Sequence, residues 1–243
     1  MLRLTMLVHG DAGTGKSWIG GSAPGPRLVL DGEGRGLYLP GDSKVWWDPR
    51  NPLPETLADG SPITTETTVI VDIREFGDWQ RAFSHLASGN HYFRSVILDS
   101  LTELQQRCID AIAGTAQMKT QDWGDLLRDM DNLVRKMRDL RTHPIKPIDA
   151  LVVVALSHEK NGKQRPMLQG GLSLKVAGHF DVVGYLSLQV DGAGTEYRSL
   201  LVKPIGLYEA KDNTHILSQH YGTNIVNPNV TEMLSVLNQG ATL

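Results

Sequence analysis

The sequence predicts an α/β fold: a mostly parallel central sheet flanked by helices, with antiparallel strands toward the C-terminus. Three observations carry that expectation. Strand-like and helix-like segments alternate through the first 156 residues, the pattern that builds parallel sheets from crossover units. Leu151–Leu156 is an unbroken apolar run, as expected of a strand buried on both faces. The first strand signal, Leu2–Val8, runs straight into a glycine-rich turn, with a helix expected from about Lys16.

A second strand follows at Arg27–Asp31. Residues 34–66 differ in kind, with Pro40, Pro49, Pro52, Pro54 and Pro62 and the pair Trp46-Trp47. They read as an irregular insertion with a short hairpin and not as a domain. The Trp pair could pack on the domain, meet a neighbouring subunit or stack on a base. Strand signals return at Thr68–Ile73, then a helix over about 78–87 and a short apolar strand, Arg94–Asp99. The next helix places Leu101, Leu104, Cys108 and Ile112 on one face. After a loop at 114–120, Trp123, Leu126, Leu127, Met130, Leu133, Val134, Met137 and Leu140 recur with helical period, and Trp123 is expected in the core. Pro144 ends that helix. Beyond Leu156 come a polar loop of about 15 residues, strands near 182–190 and 197–203, and a last helix after Asn227-Pro228. Without repeats or linkers, residues 1–243 read as one domain.

Composition excludes several classes. With 40% hydrophobic and 21% charged residues among 243, the chain is neither disordered, collagen-like nor a coiled coil. Its longest apolar run is far below the roughly 20 residues of a membrane span, and the N-terminus does not read as a signal peptide. A single cysteine, Cys108, rules out an intrachain disulfide or a cysteine zinc site, so the cytoplasm is the expected location. Net charge is −3, which gives no bulk sign of nucleic-acid binding. The segment 157–175, with Lys160, Lys163, Arg165 and Lys175 against Glu159, is nonetheless locally basic.

Chemistry concentrates in Gly10-Asp11-Ala12-Gly13-Thr14-Gly15-Lys16-Ser17, a full match to the phosphate-binding loop G-x-x-x-x-G-K-[ST]. Glycines let backbone N–H groups turn toward phosphate oxygens. The lysine reaches the β- and γ-phosphates, and the serine hydroxyl can ligate Mg²⁺. Asp99, at the tip of Val96-Ile97-Leu98-Asp99, suits a second Mg²⁺ ligand. Hydrolysis also needs a group to activate water. Glu33, two residues past the second strand, is the favoured base because strand C-termini gather on one edge of a parallel sheet; Glu103 is its competitor.

The order of phosphate loop, Asp31-Gly32-Glu33 and Ile97-Leu98-Asp99-Ser100-Leu101-Thr102 resembles the RecA-type ATPase core. It is most similar to the small phage RecA-like single-strand annealing recombinases. That resemblance implies a RecA-like P-loop NTPase using ATP and Mg²⁺, with Glu33 catalytic. It implies a γ-phosphate sensor after Leu151–Leu156, where His158 stands in place of glutamine. It further implies two DNA-contacting loops, the first including Lys119 and the second carrying Lys160, Lys163, Arg165 and Lys175. Neither loop has an aromatic residue for base stacking. In Glu209-Ala210-Lys211-Asp212-Asn213 the family presents cations to a neighbour's ATP. Asn213 takes the place of an arginine, so Lys211 would serve. The implied partners are single-stranded DNA, further copies of the chain in a ring or filament, and a single-strand DNA-binding protein, all in the host cytoplasm if the chain is phage-encoded. The residues alone also admit a small-molecule or nucleotide kinase, or a nucleotide switch with little turnover.

Overall fold

Alternation within the strands decides how the chain stacks. The computed structural model describes residues 1–240. Its strands are β1 (Leu4–Gly10), β2 (Arg27–Asp31), β3 (Lys44–Trp46), β4 (Thr68–Asp72), β5 (Ser95–Asp99), β6 (Ala150–Lys160), β7 (Lys163–Pro166), β8 (Val182–Val190), β9 (Glu196–Leu201), β10 (Lys211–Asp212) and β11 (Asn224–Val226). The main sheet runs β11-β9-β8-β1-β6-β5-β2-β4-β3. From β8 to β3 the pairings are parallel; β9, β10 and β11 add antiparallel edges. This is the arrangement expected of a RecA-like core.

The helices are α1 (Lys16–Gly21), α2 (Phe76–Ser88), α3 (Leu101–Ala113), α4 (Thr120–Asp139), α5 (Leu172–Lys175), α6 (Ile216–His220) and α7 (Val230–Gly240). Leu28, Leu30, Val96, Leu98, Leu151 and Val153 pack toward α2, α3 and α4. Val29, Ile97 and Val152, between them in sequence, and Val154 after them pack toward α1, α6 and α7. Both faces are therefore covered, which is why these strands read as continuous apolar runs. On α4, Leu126, Met130, Leu133, Val134 and Met137 are buried, each contributing about 2 kcal/mol of transfer free energy.

Three expectations need correction. The polar stretch after Leu156 is half hairpin: β6 continues to Lys160 and returns as β7, pairing Ser157 with Pro166 and Lys160 with Lys163. The turn is Asn161-Gly162, both at positive φ, the residue pair that favours two-residue hairpins. In the 34–66 insertion, β3 joins the sheet edge in parallel with β4, and the hairpin feature is a single bridge, Thr56 to Pro62. Trp47 is buried there, edge-on to His85 at 4.8 Å, whereas Trp46 is exposed. Trp123 is 38% exposed, because the apolar stripe of α4 begins one turn before the helix meets the layer it packs on.

Candidate nucleotide-binding site

Strand register assembles the site at the C-terminal edge of the sheet. Gly10, ending β1, is level with Leu156 of β6 and Leu186 of β8. Asp31, ending β2, is level with Asp99 of β5. Between β1 and α1 the chain turns at Gly13 (φ 81°) and Gly15 (φ 88°), curling the backbone as a phosphate-binding nest requires. Lys16 folds back over this loop, its Nζ donating to the carbonyls of Gly10 (3.0 Å) and Asp11 (2.6 Å). It is 9% exposed. Burial lowers its pKa, opposed by the negative charges of Glu33, Asp99 and Asp11.

Asp31 organises the acids. Its carboxylate accepts from the backbone N–H of Glu33 (3.0 Å), Gly34 (2.8 Å) and Gly36 (2.5 Å). Gly32 N–H donates to Asp99 O at 2.7 Å, tying this turn to β5. Glu33 thus reaches a cavity of about 340 Å³ together with Lys16, Ser17, Asp99, Arg35 and Arg198. Asp99 is buried and its pKa is pushed up to about 6, chiefly by desolvation; the Ser17 hydrogen bond opposes this, and the charges of Glu33 and Asp31 add to it. A buried carboxylate crowded by two acids and touching a hydroxyl fits a hard cation held by Ser17 and Asp99. Glu103 stands apart from this cavity, paired with Arg107 at 2.9 Å one turn along α3.

The other sequence-predicted residues do not converge here. His158 lies beyond the pocket because β6 continues past Leu156, which is the β6 residue that lines it. The His158 ring instead faces Ser173 Oγ at 3.4 Å. Arg165 is held by Glu209 at 2.7 Å in a half-buried ion pair, so it is not a free cation for DNA. Lys160 Nζ donates to Gly170 O at 2.7 Å. Lys119, Lys163 and Lys175 are exposed. Lys211, on β10, stands outside its own chain's phosphate pocket; burial lowers its pKa against the charges of Asp181 and Glu209.

Besides Trp18 and Tyr38 of the pocket wall, sequence reasoning missed four residues at the site. Arg35, paired with Glu33 at 3.4 Å, and Arg198, from β9, both line the pocket. His9 is buried beneath the loop, its ring nitrogens on Ser157 Oγ and Glu209 O, both at 2.7 Å. Desolvation first, partly offset by the Glu209 contact, lowers its pKa to about 4. Tyr185 packs edge-on against His9 at 5.4 Å and hydrogen-bonds Asp11. None of the four belongs to a spacing motif. Arg198 in particular arrives from a strand far along the chain, and its only sequence signal is a cation in an otherwise uncharged strand centre.

A family model described as AAA domain, AAA_24, matches residues 2–214. No curated protein matches the chain. Among solved structures, the chain is similar to an ATPase described as prototypical of the type III secretion system of pathogenic bacteria. Identity is 14% and the TM-score 0.46, over 76% of this chain and 52% of that one. The chain thus spans about half the length of that ATPase. It is also similar to the flagellar accessory protein FlaH from Methanocaldococcus jannaschii, with 12% identity and a TM-score of 0.44 over 92% of this chain and 84% of that one.

Proposed function

This chain belongs to the AAA_24 family of AAA domains, and on that premise we propose that it is a RecA-like, Mg²⁺-dependent ATPase that binds single-stranded DNA and promotes its annealing or strand exchange. One observation carries the ATPase half: Lys16, Ser17, Asp99 and Glu33, from three strand ends, line the same cavity. Lys16 would exchange the carbonyls of Gly10 and Asp11 for phosphate oxygens. Ser17 and Asp99 would hold Mg²⁺, which neutralises charge on the phosphates when bound. Glu33, steered by the backbone bonds to Asp31, would take the proton from the attacking water. Arg35 beside it offsets carboxylate charge.

The DNA half is supported by solvent-facing lysines: Lys163 at the tip of the β6–β7 hairpin, Lys175 after it and Lys119 before α4, with Lys160 beside them. Such cations would neutralise backbone phosphates without reading sequence. Lys211 outside the phosphate pocket suits a residue offered to a neighbouring copy's nucleotide, in a ring or filament whose ATP sites lie between subunits. A second reading draws on Arg35 and Arg198. Two arginines at the phosphate pocket are what a kinase acting on a small acceptor would use to hold the transferring group.

The test is ATP hydrolysis with and without single-stranded DNA, at low and moderate salt, beside a Lys16→Ala control. The expected outcome is DNA stimulation that weakens as salt rises, with turnover lost at least roughly a hundredfold in the control. Lys16-dependent turnover indifferent to DNA would overturn the DNA half and direct attention to phosphate acceptors.

A further inference from the structure

Two cavities meet at one pair of side chains. The phosphate pocket and a second cavity of about 410 Å³ share Trp18 and Arg198 as a common wall. Ile19, Pro40, Asn227 and Pro228 close the second cavity on its other sides.

Trp18, the residue after Ser17, is 53% exposed, and the Arg198 guanidinium carbon stands 5.7 Å above its ring, within cation–π range. The same guanidinium lies on the phosphate loop. A Cβ at Gly15 would fall 2.1 Å from Arg198 Nε, so only glycine permits this approach. Nε is buried and has no hydrogen-bond partner, and among the described residues no carboxylate lies within ion-pair distance of Arg198. A buried, cationic donor facing a phosphate loop without an acceptor calls for an anion.

The wall is also braced. Arg198 N–H donates to Asn227 Oδ1 (2.9 Å) and Arg198 O accepts from Asn227 N–H (2.7 Å). Ser22 Oγ accepts from Val230 N–H at 2.9 Å, fixing the start of α7 to the end of α1. The cavity therefore sits between anchored elements.

We infer that Trp18 and Arg198 form the nucleoside end of the site: Arg198 takes the phosphate next to the sugar, and the nucleobase lies against the Trp18 indole in the second cavity. The ligand class is a nucleoside 5′-di- or triphosphate, with its base facing an aromatic surface and an apolar wall. This rests on the nucleotide reading of the phosphate loop and adds to it the part of the ligand that the loop motif does not specify.

The experiment is calorimetric titration of ATP, ADP and inorganic tripolyphosphate into the full chain and into Trp18→Ala, Trp18→Phe, Arg198→Ala and Arg198→Lys, each checked for an unchanged melting transition. Wild type should bind ATP at least about tenfold tighter than tripolyphosphate, given the stacking and hydrogen bonding a nucleoside adds. Trp18→Ala should shrink that ratio to about twofold, with Trp18→Phe retaining most of it, as an aromatic face predicts. Arg198→Ala should weaken ATP and ADP by roughly tenfold, and Arg198→Lys by less. In parallel, the quenching of tryptophan emission by ATP should vanish in Trp18→Phe although four other tryptophans remain. If wild type binds tripolyphosphate as tightly as ATP, or if the alanine variants bind ATP as wild type does, the inference fails and the phosphate loop reading stands. If wild type binds neither ligand, both fail together.

Discussion

The sheet edge at β1, β2 and β5 and the hairpin β6–β7 carry comparable numbers of charged residues, yet only the first brings them to one place. At the edge, side chains are placed by strand register and by backbone hydrogen bonds, such as the three that Asp31 accepts. The charges left over point into a shared cavity, where burial raises Asp99 and lowers Lys16 while the attraction between them opposes both shifts. In the hairpin, charge is answered locally or not at all. Arg165 meets Glu209, Lys160 meets a carbonyl, and Lys163 faces water. A spacing motif forecasts convergence because the backbone enforces it. A basic composition does not, because a partner such as Glu209 can arrive from 44 positions away.

The sharpest way to break this comparison is Arg165→Ala. Arg165 and Glu209 are only 15% and 20% exposed, and removing one partner strands the other, so stability should fall by about 2 kcal/mol. Thermal melting reads this as a drop of roughly 4–8 °C. DNA retention should be nearly unchanged; weaker DNA binding with unaltered melting would make Arg165 a phosphate contact after all.

Asp99→Asn tests the edge. The wild-type carboxyl is raised from 3.8 to about 6, so its neutral form is favoured in the folded state. That contribution is fully present below about pH 4 and is lost as pH rises through 6. In denaturant titrations of the ligand-free protein, the Asn variant should show no such loss and end about 1–2 kcal/mol more stable than wild type at pH 7. Its Mg²⁺-dependent nucleotide affinity should collapse. Equal pH profiles for the two proteins would mean that Asp99 titrates normally.

The smallest effect on stability belongs to the lysines in and after the hairpin. Lys160→Ala, Lys163→Ala and Lys175→Ala combined should change folding free energy by about 0.5 kcal/mol or less. The same triple variant should lower the salt slope of single-stranded DNA binding by about 2. An unchanged slope, measured by anisotropy across salt, would remove this surface from DNA contact.

The parallel core and phosphate loop were legible because both rest on local rules: apolar runs for strands covered on two faces, and glycines where the chain must turn. The placement of Glu33 at the pocket was legible too, since a parallel sheet collects strand ends. Elsewhere the signals were of another kind. The Asn161-Gly162 turn was readable in principle, but the polar residues around it masked a continuing strand. Trp123 fitted the helical period, yet periodicity does not say where the opposing layer stops. Arg198 reaches the site from β9, and His9 is held beside it by Ser157 and Glu209, positions that only the folded chain brings close.

The central claim is that Glu33, and not Glu103, activates water beside a nucleotide held by Lys16, Ser17 and Asp99. Single-turnover ATP hydrolysis, paired with ATP binding, tests it in Glu33→Gln and Glu103→Gln. The account predicts a loss of about a hundredfold or more in rate for Glu33→Gln with binding within about threefold of wild type, and near-normal rates for Glu103→Gln. A wild-type rate in Glu33→Gln would contradict it.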